Sequence, residues 1–319
     1  MSKLYIIGNG FDLHHGLSTS YTDFEHHLKT HNIQLLDSLN KYYFFSQIDQ
    51  NLWTKFEENL ANLDKDALVD YLTEYFDDTS DRGRNAMGIE TETYLKLLTK
   101  GLRGEFSEFI LKAETRIIDR IKKVPIDIDA KFISFNYTNT LEKHYLIPHE
   151  NIFYIHGIAK EKEGIILGHS TDPELFIDEK IEATPTKDAS EEVLEQWYEY
   201  MSDQHNPIYD DCVSTVNKYF LSSFKDTKNI IEENSLFFDD LSDIKYVFIY
   251  GHSMSKVDIA YIEEVVSKVK SDCHWSISYY SENENEKEEI EFTLKHLNIS
   301  PEFYQFIKLT DLQHLKTTD

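Results

Sequence analysis

Positive charge is what this chain has least of: 32 lysines and arginines stand against 58 aspartates and glutamates, a formal net charge of −26 over 319 residues. Nucleic acid and anionic membrane surfaces need clustered Lys and Arg, so neither is expected as a partner. Cysteine is scarce too. Cys212 and Cys273 stand alone with no C-x-x-C pair, which argues against a disulfide framework and a cysteine zinc site and fits a reducing cytoplasm. No apolar run approaches a membrane span in length, and the opening one, Leu4–Ile7, is broken by Gly8 and Asp12 too early for a signal peptide. The expected location is the cytoplasm. What the chain does have is 40% hydrophobic and 13% aromatic residues, ample for a buried core.

The chain opens on four β-favouring residues, Leu4-Tyr5-Ile6-Ile7, that run into Gly8-Asn9-Gly10-Phe11-Asp12 and then a helix start. Strand, glycine turn and helix are the grammar of nucleotide binding, because glycine admits close approach and helix-start amides attract phosphate. The dinucleotide fingerprint is incomplete, since Leu13 stands where its third glycine belongs and the next glycine is Gly16. From Ile33 to Phe45, Leu52 to Phe76 and Glu92 to Lys123 the apolar residues recur at helical spacing, interrupted by the polar loop Asp77–Asn85 with its Arg82 and Arg84. After Pro125, short strands are expected at Phe132–Phe135, Ile152–Ile155 and Ile165–Leu167. An acidic connection at Thr171–Ser190 leads to helices near Glu191–Ser202 and Tyr209–Asn234. Alternation resumes with strand Tyr246–Tyr250, helix Val257–Val269, strand Trp275–Tyr280, helix Glu284–Leu297 and strand Phe303–Ile307.

This pattern predicts one α/β domain over residues 1–319 with a Rossmann-like, mostly parallel sheet and helices on both faces. The sheet core would come from about 1–30, 125–171 and 244–310, with helical insertions at about 31–124 and 172–243. Ligands of such sheets bind outside the carboxyl ends of the strands. Gly8, Asn136, His156, Gly168-His169 and Gly251-His252-Ser253 each follow a predicted strand, so all five turns are expected on one edge as a ligand site.

Several of these stretches, read together, resemble the bacteriophage abortive-infection AbiH family. They are Gly8–Leu13 with Gly16–Phe24, Trp53 with Phe56-Glu57, Phe135–Glu142, Ile155-His156-Gly157, Leu167-Gly168-His169, and Gly251–Met254 with Asp258. A more distant likeness is to sirtuins and sirtuin-like NAD-consuming antiphage domains. These place an asparagine after a central strand, a His-Gly after the next and a late Gly-x-Ser turn, as do Asn136, His156-Gly157 and Gly251-His252-Ser253. Glu25 replaces the sirtuin arginine, and the zinc module is missing, so deacylation does not transfer. The resemblance implies NAD as substrate or ligand, with no separate cofactor and no metal. In that reading Asn136 holds water and ribose, His156 takes a ribose hydroxyl, and Asp12 steadies developing positive charge. Gly8, Asn9, Gly10 and Phe11 would meet the pyrophosphate, and Gly168, His169, Gly251, His252, Ser253 and Asp258 the rest of the nucleotide. A phage protein as trigger and self-association are further expectations.

Three other readings stay open at the level of sequence. The protein could bind a nucleotide without cleaving it and signal through its helical insertions. Gly251-His252-Ser253-Met254-Ser255 comes close to a nucleophile elbow, with Asp272, His274, Asp311 and His314 available downstream of Ser253. Histidines 14, 15, 156, 169 and 252 with Asp12 could serve a metal, although their spacing fits no template.

Overall fold

The first strand, β1 (Lys3–Ile7), is the middle of the molecule because its residues are buried on both faces. In this computed structural model, which describes residues 2–44, 52–74, 81–118, 122–160, 164–176, 190–204, 207–280 and 284–312, five further strands join it. They are β2 (Lys131–Ser134), β3 (Ile152–Tyr154), β4 (Tyr246–Tyr250), β5 (His274–Ser278) and β6 (Tyr304–Ile307). All pair in parallel, in the spatial order β3-β2-β1-β4-β5-β6. The chain works outward from β1 to one side through β2 and β3, then crosses back to β4. The switch in strand order therefore falls between β1 and β4, where a Rossmann-like sheet opens its crevice.

The two-residue period of a strand sends alternate side chains to opposite faces. Leu4 and Ile6 enter a core with Ile133, Val247, Ile249 and Ile277. Tyr5 and Ile7 enter the opposite one with Phe132, Ile152 and Tyr250. The helices run in chain order: α1 (Asn9–His14), α2 (Tyr21–His31), α3 (Ile33–Tyr42), α4 (Phe56–Asn59), α5 (Lys65–Glu74), α6 (Asp81–Lys96) and, after a π-helical turn at Leu97–Gly101, α7 (Leu102–Glu114). Then come α8 (Thr140–Tyr145), α9 (Glu191–Gln204), α10 (Pro207–Ser222), α11 (Thr227–Glu233), α12 (Ser235–Asp239), α13 (Ile259–Lys268), α14 (Glu284–His296) and α15 (Leu309–Leu312). Helices α12 to α14 cover the first face through Phe238, Tyr261, Val265 and Leu294. Helices α1, α8 and α15 cover the second through Phe11, Leu141 and Leu309.

A third core is mostly helical, with Tyr137, Ala159, Ile165 and Leu167 joining it from the segments after β2 and β3. Phe24, Leu39, Phe56, Leu72, Met87 and Phe106, which precede β2, pack in one cluster with Cys212, Val216, Tyr219 and Phe220 of α10, which precedes β4. Segments from both insertions thus share an interior.

Four expectations need correction. Ile165–Leu167 joins no strand of the sheet; Gly157 turns at φ 72° and folds the chain back so that the Ile166 amide bonds the His156 carbonyl at 2.9 Å. The helix expected over Leu52–Phe76 is two pieces, α4 and α5. Asp81–Asn85, expected in a loop, begins α6; residues 77–80 and the side chains of Arg82 and Arg84 lie outside the described residues, as do Phe45 and Phe76. Finally, Tyr209–Asn234 breaks at Ser223–Asp226, because the Asp226 side chain caps α11 by accepting from the Asn229 amide at 3.0 Å.

Candidate functional site at the switch in strand order

The turns after β1 and β4 lock together, and glycine makes that contact sterically attainable. A Cβ on Gly8 would lie 2.6 Å from the Gly251 carbonyl oxygen, and one on Gly10 would lie 2.9 Å from it. Gly251 itself has φ +68°, and its Cβ would meet the Phe11 nitrogen at 2.1 Å. Backbone bonds finish the joint. The Gly8 amide donates to Tyr250, Gly10 to Gly251 and Phe11 to Gly8, at 3.0, 2.8 and 2.9 Å. The amide of Gly251 donates to Ser278 Oγ at 2.7 Å. These glycines therefore pack turn on turn, and the amides of Gly8 and Gly10, expected to face pyrophosphate, are already engaged. Asn9 exchanges two hydrogen bonds with Thr19. Phe11 is fully buried against His15 and Tyr145 on the sheet face, and does not line the crevice.

Above this joint opens a cavity of about 1000 Å³, lined among others by Asn9, Gly10, Asp12, Asn136, His156, Gly251, His252, Ser253 and Asp258. Asn136 is 5% exposed, yet neither polar atom of its amide has a hydrogen-bond partner. A buried amide is costly to leave unpaired, and that of Asn136 stands close enough to Asp12 to help hold its carboxylate. Asp12 is also half satisfied: Oδ2 accepts from Thr138 Oγ1 at 2.6 Å, while buried Oδ1 accepts from nothing. Burial, opposed by the hydroxyls of Thr138 and Thr140, raises this carboxyl to about 6.

The inner wall is charged. His156 Nε2 lies 3.3 Å from Asp258 Oδ1, and His252 Nε2 lies 3.7 Å from Asp258 Oδ2. His252 Nδ1 accepts from the Met254 amide at 3.0 Å, which fixes the tautomer that carries its proton on Nε2. Behind them the fully buried ammonium of Lys225 touches Asp258 Oδ1 at 3.3 Å and binds Glu57 Oε2. Glu57 also accepts from Tyr21, and lies 3.4 Å from the Tyr137 hydroxyl, which donates to the Ile166 carbonyl at 2.8 Å. Burial pushes the Asp258 carboxyl up, but Lys225 and His156 outweigh it and hold the group well below the usual carboxylate range. His156 is lowered as well, by burial first and by the Lys225 charge next, which in its case favours the neutral form.

Gly168 and His169 are absent from the cavity lining. They act one layer back. A Cβ on Gly168 would lie 1.9 Å from the Ser223 carbonyl oxygen, so only glycine permits this approach. His169 then accepts from Lys225 N at 2.7 Å and donates to Ser223 O at 2.9 Å, which pins the segment that carries Lys225. The His169 ring packs among Phe176, Phe220 and Phe224, and burial lowers its value to about 4.

The serine hydrolase reading fails on geometry. The left-handed residue of the turn is Met254, at φ 52°, not Ser253, and α13 starts only at Ile259. His274 opens β5 in register with Tyr246, and Asp272 precedes it, so both stand at the other end of the strands, about 15 Å away at 3.3 Å per residue. Asp311 is exposed on α15, and His314 lies outside the described residues. Of the histidines weighed for a metal, only His156 and His252 come together, on Asp258; His14 bonds the Lys122 carbonyl, His15 sits between Phe11 O and Tyr145, and His169 packs on Phe220. Among the described residues no three His, Cys, Asp or Glu side chains form a metal-sized group.

A six-stranded parallel sheet, helices on both faces and a cavity at the β1/β4 switch define a Rossmann-like α/β protein with its cavity in the usual crevice. The family model for bacteriophage abortive infection AbiH matches residues 4–279, and the chain belongs to that family. No curated protein and no solved structure matches it. Among the described residues no helix is long and apolar enough to cross a membrane.

Proposed function

We propose that this member of the abortive-infection family cleaves NAD at the bond between nicotinamide and ribose. The observation that carries the reading is the convergence of the buried Asn136, Asp12 and His156 on one cavity at the switch in strand order. Electrostatics supports it. Glu57 and Asp258 share a single buried cation, Lys225, so the inner wall keeps an excess of negative charge that suits a pyridinium. Lys256 and Lys308 belong to the lining as well and suit phosphates, a role the engaged amides of Gly8 and Gly10 cannot fill.

In the reaction the C1′–N bond breaks and its electron pair returns to the ring, which leaves as neutral nicotinamide. A water oxygen adds to C1′ and gives up a proton. Asn136 positions the water and ribose, the ionised Asp12 carboxylate stabilises the oxocarbenium-like charge, and His156 accepts a hydroxyl proton. Such placement is worth roughly 10²–10⁴-fold per group. Purified protein with NAD, with and without phage lysate, is assayed for nicotinamide by chromatography. Release that falls at least about 100-fold in Asn136→Ala and His156→Ala supports the reading. No release at high enzyme concentration overturns hydrolysis; NAD binding by calorimetry in that case would indicate a sensor.

A further inference from the structure

Lys225 has no part in the chemistry above, yet among the described residues it is the one lysine or arginine in ion-pair contact with both of the site's inner carboxylates, Glu57 and Asp258. A lysine is almost never fully buried without a purpose that repays its desolvation. Here the geometry is specific. Its Nζ and His156 Nε2 meet the same oxygen, Asp258 Oδ1, each at 3.3 Å. Its other anchor, Glu57, is itself held by Tyr21 and lies 3.4 Å from the hydroxyl of Tyr137, whose ring stacks on His156 with centroids 5.9 Å apart. The backbone of Lys225 is pinned where it starts, its amide donating to the His169 carbonyl at 2.7 Å.

We propose that Lys225 is the positioning residue of this cavity: by fixing the Asp258 carboxylate it draws His156 Nε2–H inward and leaves His156 Nδ1 as the nitrogen offered to the ligand. This deepens the NAD reading and rests on it only for its kinetic arm. The groups that face His156 are Asp258, Lys225, Glu57, Tyr137 and Tyr261, with His252 on the far oxygen of Asp258. With the ammonium present, Asp258 is satisfied without a full positive charge on the imidazole, so His156 stays neutral and basic. Burial and the lysine both lower its titration, as the directions for His156 and Asp258 require. With the ammonium removed, Asp258 would draw a proton onto His156 and make an imidazolium, which cannot accept a proton from a substrate.

The test is the titration of the His156 Cε1 proton by NMR, assigned with His156→Gln, in the full chain and in Lys225→Met. The expected result is a midpoint raised by about one pH unit or more in Lys225→Met, tenfold in proton affinity, and lowered in Asp258→Asn. If NAD cleavage holds, kcat falls in Lys225→Met while KM stays within about threefold, because the substrate does not touch the lysine. A His156 midpoint unmoved by Lys225→Met in a folded chain overturns the proposal, whatever the outcome with NAD. Should Lys225→Met not fold, the charge-balanced Lys225→Met/Glu57→Gln chain replaces it with the same expectation. If that chain also fails to fold, Lys225 is a structural residue and the proposal falls.

Discussion

Replacing Gly168 by alanine adds one methyl group and should undo the support of a site that Gly168 does not line. The new Cβ would lie 1.9 Å from the Ser223 carbonyl oxygen and 2.8 Å from its carbon. Side-chain carbons do not come within 3.0 Å of such atoms, so the two strands of chain must part by more than about 1 Å. The bonds between His169 and Ser223 and between His169 and Lys225, now 2.9 and 2.7 Å, would stretch beyond useful length. Two such bonds at about 1 kcal/mol each, with an overpacking cost of about 1–3 kcal/mol, give a loss of about 3–5 kcal/mol. At about 2 °C per kcal/mol for a chain of this size, Tm falls by about 6–10 °C. Backbone strain is no part of the estimate, since Gly168 does not have a left-handed φ. Gly88→Ala is the control: exposed in α6 with nothing within 4 Å, it should gain about 0.5–1 kcal/mol. The assay is thermal unfolding followed by circular dichroism at 222 nm. If Gly168→Ala melts with the wild type, the clamp on Lys225 is not rigid and the reasoning fails.

Two pH dependences follow from buried groups. Asp12 stands at about 6 in the fold against 3.8 in an open chain, so the native state holds its proton longer and stability declines as pH climbs through that window. Two pH units correspond to about 3 kcal/mol, and Asp12→Asn should therefore gain in Tm over the wild type between pH 4 and pH 7; a constant difference would refute it. His169 runs the other way. Its value of about 4 against 6.5 means that the unfolded chain takes up a proton first and stability is lost as pH falls from 6.5 to 4. His169→Phe, in its aromatic surroundings, should match the wild type in urea at pH 7.5 and exceed it at pH 5. Parallel losses in both proteins would show that this ring does not drive the acid sensitivity.

The sheet was legible because its strands are short apolar runs that end in glycine or polar turns, as at Ile7-Gly8, Phe135-Asn136 and Tyr250-Gly251. Ile165–Leu167 has the same appearance, three apolar residues before a glycine, but no local pattern distinguishes a strand from a segment folded back onto its own turn. That error carried Gly168 and His169 to the wrong layer. Asn136 and His156 meet in the cavity as their positions after strands suggest, and Asp258, quoted only in the family resemblance, lines it with them. Lys225 was illegible for a different reason: an apparent helical period over Tyr209–Asn234 runs straight through it, and only the cap at Asp226 breaks the helix and turns the lysine inward. Glu57, quoted in the family resemblance beside Trp53 and Phe56, had a signal but no role until its tertiary partners were known.

The interlocked turns after β1 and β4 also bear on how this protein could change its ligand over evolutionary time. Conventional Rossmann proteins hold phosphate with backbone amides, which no point mutation can exchange. Here the amides of Gly8 and Gly10 are satisfied within the chain, and the cavity wall is made of side chains such as Asn9, Asp12, Asn136 and Lys256, to which recognition of a nucleotide would fall. Each is replaceable by a single codon change while the glycine joint beneath stays closed. A defence protein built in this way can diversify its chemistry at the cavity wall without redesigning the loop that makes the cavity.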